Sequence, residues 1–273
     1  MDTKKILFPT DFTDHSIHAL KEAVHLNKSL NYEIIVFHAY SRPYSEKGKE
    51  YSQSLQLQNQ EKSIEKKFKK LVDDIPGLSK YPHHFKKKLG YSIEVILDQV
   101  RIDQPDLIIM STKGAIGLGE LWGTKTAKII ESVDIPVIVV PENTKLSDLN
   151  MIGLACDFSE NTEYDNLDFL IELSEKRKLE IDIITLNRQE KTMTKEELTN
   201  RDHILSIMNH LKPKVSFTHH ENVKKGLIDY CKANEIGLIS VLPKSYNFIE
   251  RAFHDSLTMR MAFHSPIPLL VLK

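Results

Sequence analysis

The sequence is poor in the residues that mark specialised scaffolds. It has two cysteines, Cys156 and Cys231, among 273 residues. Two cannot build a disulfide framework or a four-cysteine zinc site, and neither lies in a CxxC, so both read as buried structural residues. Charge of one sign is also missing: 37 basic against 38 acidic residues leave a formal net charge of −1, so no bulk field recruits nucleic acid or an anionic membrane. No apolar run approaches the roughly 20 residues that span a bilayer. The start, MDTKKILFPTDF, enters a strand pattern without a signal-peptide pattern, so the cytoplasm is the expected location. Glycine is scarce as well, yet four of the ten crowd into STKGAIGLGELWGTKTAK, residues 111–128, between an apolar run and a helical pattern. Glycine gathered at such a junction marks backbone that can lie close to a phosphate.

What is present is the balance of a soluble globular chain, 41% hydrophobic and 27% charged. Its length suits two ordinary domains, and the sequence repeats itself. KILFPTDFTDHS resembles MIGLACDFSENT, so that Asp11-Phe12-Thr13 matches Asp157-Phe158-Ser159. PDLIIMS around Leu107 matches IGLISVL around Leu238, and SVDIPVIVVP matches FHSPIPLLVLK. The order is kept throughout. We therefore expect two domains, 1–143 and 150–273, divided within the polar, proline-led stretch PENTKLSDLN (141–150).

Each unit alternates strand and helix. In the first, strands are predicted at Lys5–Pro9, Glu33–His38, His83–Lys88, Leu107–Ser111 and Pro136–Val140. Helices are predicted after an N-cap at Thr13 or Asp14, then near Gln58–Asp73, over Ile93–Ile102 and over Thr124–Ser132. The basic run Glu61–Lys70 reads as the solvated face of a helix. The second unit repeats the pattern from Met151 with a shorter middle. Such alternation implies mostly parallel sheets with helices on both faces, and a ligand crevice beyond the carboxyl ends of the strands where their order reverses.

Several tempting motifs fail. GLGELWG has one residue too many for a dinucleotide fingerprint, and GTKT is not part of a Walker A loop. His83-His84 and His219-His220 sit in predicted strands, where neighbours point to opposite faces, so no metal site is expected. His254-Asp255-Ser256 has the letters of a triad but only as sequence neighbours, and no catalytic residue is identified. Trp122 reads as a packing residue.

FPTDFTDHS after the first strand, MSTKGAIGLGELWGTKTAKII after the fourth and the closing IPVIVVP together resemble the universal stress protein (UspA) family. ACDFSEN and SPIPLLVLK carry a weaker version in the second unit. The resemblance implies two tandem Rossmann-like α/β domains of the adenine nucleotide alpha hydrolase type, each a five-stranded parallel sheet of order 3-2-1-4-5. It implies pairing of the halves through their last strands, Pro136–Val140 with Pro268–Leu272, possible homodimerisation, and a stress-response role with an unidentified protein partner rather than an enzymatic one. Some family members bind ATP through a loop of the form G-x2-G-x9-G-[S/T]. By position, this implies Pro9, Thr10 and Asp11 near adenine and ribose and Ala39 against the base. Met110, Ser111, Lys113 and Gly114 would precede the phosphate loop, and Gly123, Thr124 and Lys125 would hold the phosphates, with Mg2+ accompanying them. This chain departs from the pattern: Ser111 stands at the first glycine, and eight residues, not nine, separate Gly114 from Gly123. The second unit has Asp255 in place of Gly123, so ATP is expected only in the first. The alternative is an interaction scaffold with a vestigial loop. The long middle, 41–80, has no assigned role.

Overall fold

A computed structural model describes residues 3–42, 50–111, 120–158, 166–186, 193–242 and 267–273; of residues 50–53, 120–125 and 224 it describes the backbone only. The first half runs β1 (Lys5–Pro9), α1 (Asp14–Leu30), β2 (Glu33–Tyr40), α2 (Glu50–Asp74), β3 (His83–Leu89), α3 (Ser92–Asp103), β4 (Leu107–Ser111), α4 (Glu120–Ser132) and β5 (Val137–Val140). The second runs β6 (Met151–Ala155), α5 (Asp168–Arg177), β7 (Glu180–Leu186), α6 (Lys195–Ile207), β8 (Lys214–Thr218), α7 (Val223–Ala233), β9 (Leu238–Val241) and β10 (Leu269–Val271).

All ten strands form one sheet in the order β3-β2-β1-β4-β5-β10-β9-β6-β7-β8. Within each half the order is 3-2-1-4-5 and every pairing is parallel; β5 and β10 pair antiparallel, with Leu270 opposite Ile138, and join the halves. Strands β1, β4 and β5 are apolar along their length because helices cover both faces. The core accordingly splits into two layers. One packs Phe8, Ile34, Val36 and Ile109 under α1 and α2, and the other packs Leu7, Phe37, Ile108 and Met110 under α3 and α4.

The duplicated Asp-Phe pair takes the same backbone conformation twice. Phe12 has φ 62° and Phe158 φ 58°. A non-glycine residue in this left-handed region costs about 1–2 kcal/mol, and here it turns each chain sharply out of the first strand. Thr13 then caps α1 by accepting a hydrogen bond from Ser16 N. The Phe12 ring is anchored by His38 at 4.5 Å and Phe68 at 5.1 Å. Phe68 belongs to α2, whose Ile64, Phe68 and Leu71 are buried while the lysines between them lie outside, so the basic run is one face of a helix. The helix is longer than its periodicity suggested, beginning at Glu50 because the polar Gln-rich start is compatible with helix without contributing an apolar stripe.

Strand β3 lies at one edge of the sheet, and its three consecutive lysines are each paired: Lys86 with Asp103, Lys87 with Glu65, Lys88 with Asp98. Charged edge strands resist adding a foreign strand. His83 and His84 lie in this strand as expected. His219-His220 do not lie in a strand: β8 ends at Thr218, and His220 Nδ1 accepts from Asn222 N in a turn that leads into α7. Both cysteines are buried, and burial next to Asp182 pushes the Cys231 thiol up to about 12. Among the described residues no helix is long and apolar enough to cross a membrane.

Beyond the strand seam, the halves are held by Glu172 of α5. Its carboxylate accepts from Lys4 Nζ at 2.6 Å and Tyr32 OH at 2.7 Å, and meets Lys176 Nζ at 2.8 Å. Burial alone would raise this carboxyl, but the bonds from Lys176, Lys4 and Tyr32 outweigh it and hold its pKa at about 2. The connecting segment is strapped down too: Glu22 accepts from Leu146 N at 2.6 Å, and His18 Nε2 meets Thr144 O at 2.8 Å. Because the folded carboxyl is depressed, its contribution is complete above the ordinary value of 4.5 and is lost as pH falls toward about 2. Substituting Glu172→Gln should therefore lower stability at pH 7 by about 1–2 kcal/mol. In chemical denaturation, the variant's stability should also change less than the wild type's between those two pH values.

Candidate nucleotide crevice

The predicted site begins where β1 stops. Backbone groups of Lys5, Leu7 and Pro9 face β4, as the bond from Asp106 N to Lys5 O shows. Proline has no N–H, so Pro9 cannot donate the next rung. The β1–β4 register ends at Leu7 opposite Ile108, although β4 continues to Ser111. The second half is the internal control. Ala155 stands in place of Pro9, and there β6 and β9 pair through Ala155 opposite Val241, two rungs further.

On its other edge, β1 pairs β2 as far as Pro9 opposite Phe37, and Thr10 N closes that rung on Phe37 O at 2.8 Å. Strand β2 runs on to Tyr40. Peptide groups alternate along a strand, so the N–H and C=O of Ala39 point the same way as those of Phe37, past the end of β1. In a continued ladder they would meet Thr10 O and Phe12 N. Instead Phe12 N bonds Thr10 Oγ1 at 3.1 Å, and Thr10 O accepts from His38 Nδ1 at 2.7 Å. Neither Ala39 group has a partner among the described residues.

These strand ends border a cavity of about 170 Å³ lined by Pro9, Thr10, Asp11, Ala39, Met110 and Ser111, six of the residues that the family resemblance implied. Phe37, Ser92, Ile93, Ile96, Thr126 and Ile129 complete it. Phe37 was legible from strand alternation, since it shares a face with Ala39. The α3 and α4 residues carried no such signal, because they reach the cavity only through the fold. Gly90 makes the α3 approach possible: at φ 151° it turns the chain from β3 into α3, and a Cβ there would lie 2.5 Å from Val95 Cγ1. The cavity is smaller than the roughly 300–1,000 Å³ of whole-ligand pockets. It has the size for one end of an elongated ligand, with apolar walls from Phe37, Ile93, Ile96, Met110 and Ile129.

Asp11 bridges both readings made of it. Its Oδ1 accepts from Thr13 N at 3.0 Å and Thr13 Oγ1 at 2.6 Å, which fixes the turn before α1. Its Oδ2 has no partner among the described residues, and Asp11 lines the cavity. Behind the crevice, burial holds the His38 imidazole below its usual value, with Lys67 adding to the effect and Thr10 O and Asp11 opposing it.

Lys113 and Gly114 lie outside the described residues. Gly123, Thr124 and Lys125 lie within α4, which begins at Glu120 rather than at Thr124. Glu120-Leu121-Trp122 are competent helix formers, and an interior glycine costs only about 1 kcal/mol, so Gly123 does not delay the helix. The side chains of Trp122, Gly123, Thr124 and Lys125 lie outside the description, as do residues 254–256. Among the described residues no group of three or more His, Cys, Asp or Glu could hold a metal ion.

In the second half Leu186 stands where Ala39 stands and is buried in the layer equivalent to the crevice side, while Leu242 stands where Ser111 stands and is buried in the opposite layer. Cys156 and Val241 replace Thr10 and Met110.

Comparison with known proteins accords with this architecture. The family model for the universal stress protein family matches residues 2–141. A universal stress protein of Methanocaldococcus jannaschii is 29% identical over 147 residues, which span 52% of this chain and 84% of that protein. The crystal structure of a universal stress protein from Archaeoglobus fulgidus superposes over 100% of this chain and 99% of its own, with a TM-score of 0.74 at 16% identity. A functionally unknown protein from Pseudomonas aeruginosa superposes over 99% of this chain and 92% of its own, with a TM-score of 0.63 at 13% identity. The two structural matches share the whole ten-stranded fold at identities that speak for fold alone, and the sequence match over the first half supplies the kinship: the chain belongs to the universal stress protein family.

Proposed function

We propose that this protein is a cytoplasmic stress-response module whose first half binds an adenine nucleotide as a regulatory ligand. The observation that carries the reading is the Ala39 peptide, which has no partner among the described residues, at an apolar crevice. It offers one donor and one acceptor side by side, the complement of a ring nitrogen next to an exocyclic amine on the edge of adenine. Buried against Phe37, Ile96 and Met110, the two bonds would each contribute about 1 kcal/mol. Asp11 Oδ2 is available to accept from a ribose hydroxyl. The phosphates, with Mg2+, would extend toward Lys113, Gly114 and the N-terminal end of α4, whose free amides from Glu120 onward favour anions and whose first turns carry Gly123, Thr124 and Lys125. Binding would change the surface offered to a protein partner at this end of the sheet, so the nucleotide acts by population shift rather than as fuel. Residues 1–143 and 150–273 would then be two domains of one ancestry, one liganded and one closed by Leu186 and the longer β6–β9 ladder, with the β5–β10 seam standing in for a dimer contact.

Calorimetric titration with ATP and Mg2+ tests the reading. Binding with one site per chain is expected, weakened by about tenfold in Asp11→Ala and, through the phosphates, by Gly123→Asp. GTP, whose corresponding edge presents acceptor and donor in the reverse order, should bind at least about tenfold more weakly. Absence of heat at millimolar ATP would favour the scaffold reading; a bound signal with steady phosphate release would favour an enzyme.

Two substitutions copy the second half into the first. Ala39→Leu should fill the cavity, and Pro9→Ala should let β1 and β4 pair further. Each is expected to weaken ATP binding while leaving the melting temperature equal to or above that of the wild type, as measured by calorimetry and thermal denaturation. Undiminished binding in both would remove the crevice from the account.

A further inference from the structure

Among the described residues the Ala39 peptide has no partner, and the groups that would pair with it in a continued ladder are taken elsewhere, Thr10 O by His38. Its ring lies on the opposite face of β2 from the crevice, packed against Phe12 at 4.5 Å and parallel to Tyr40 at 6.5 Å between centroids. From there Nδ1 reaches Thr10 O at 2.7 Å. A carbonyl can only accept, so Nδ1 carries the hydrogen. The same carbonyl is the acceptor that Ala39 N–H would take if the β1–β2 ladder continued by one rung.

The second half builds this device independently with different chemistry. Thr185 occupies the position of His38, and its Oγ1 donates to Cys156 O at 2.9 Å, the counterpart of Thr10 O. Phe158 N bonds Cys156 Sγ at 3.4 Å, as Phe12 N bonds Thr10 Oγ1. The first-to-second-strand ladder stops at the same rung in both, Pro9 opposite Phe37 and Ala155 opposite Ile184. A side chain on the far face of the second strand that captures the loop carbonyl is therefore a repeated element, and neither imidazole nor hydroxyl chemistry as such is needed for it.

We propose that His38 is a positioning residue of the ligand crevice: by holding the Thr10 carbonyl away, it keeps the Ala39 N–H and C=O open to a ligand it does not itself touch. This rests on the nucleotide reading for the identity of the ligand but not for the strand-end geometry. A donor at residue 38 matters; a ring alone does not.

The test combines amide hydrogen exchange of the free protein with adenosine titration. His38→Phe keeps the ring contacts and removes the donor; His38→Leu removes both and covers the case in which one variant folds poorly. His38→Thr restores a donor of the kind the second half uses. In the wild type, Ala39 N–H should exchange readily without ligand. In His38→Phe and His38→Leu, the released Thr10 carbonyl should accept from Ala39 N–H, slowing its exchange by about tenfold and weakening adenosine by about as much, the equivalent of one hydrogen bond. His38→Thr should match the wild type in both measurements. Equal Ala39 exchange in the wild type and His38→Phe would overturn the proposal, as would failure of His38→Thr to restore it. If the wild type binds no adenosine, the nucleotide reading fails while the exchange comparison still decides the role of His38.

Discussion

Strand β1 ends early on both of its edges, and the crevice follows from that. Toward β4 the cause is covalent: Pro9 has no hydrogen to donate, so the ladder cannot continue past Leu7. Toward β2 the cause is a competing hydrogen bond, His38 to Thr10 O, together with the turn that Phe12 takes at φ 62°. Two neighbouring strands, β2 and β4, run on past the gap. Backbone that would have been satisfied within the sheet is instead presented beyond its carboxyl edge, where doubly wound folds bind their ligands. A partly buried backbone group left unpaired in the sheet favours a partner with complementary groups.

The second half keeps the frame and changes the residues at the strand ends. The fold, strand order and Asp-Phe turn are retained. Replacing Pro9 by Ala155 lets the first and fourth strands pair two rungs further. Replacing Ala39 by Leu186 puts a branched side chain where the first half has a cavity. That half also carries contacts that hold the chain together: β10 completes the seam with β5, and Glu172 gathers Lys4, Tyr32 and Lys176 across the two halves.

Much of this was legible in the sequence because the signals were local or periodic. Apolar runs gave the strands and the repeat of Asp11-Phe12 at Asp157-Phe158 gave the duplication, while Pro9, Asp11, Ala39 and Met110, which the family resemblance implied, line one cavity. What could not be read was long-range. Nothing in SIEVILDQV says that Ser92 and Ile96 turn toward β2, because that depends on a crossover and on the turn at Gly90. The start of α4 was misplaced because four glycines suggested loop where the chain is helical from Glu120. His38 looked like one more residue of a buried strand; its bond to Thr10 O exists only because strand pairing brings positions 28 residues apart together.

The central claim is that one half of a duplicated fold keeps an open strand end for an adenine base and the other does not. A crystal structure grown with a nonhydrolysable ATP analogue tests it most directly. The account predicts one bound molecule per chain, its base edge on Ala39 N–H and C=O just beyond Pro9, and none beside Leu186. A base bound elsewhere, or equal occupancy of both halves, would contradict it.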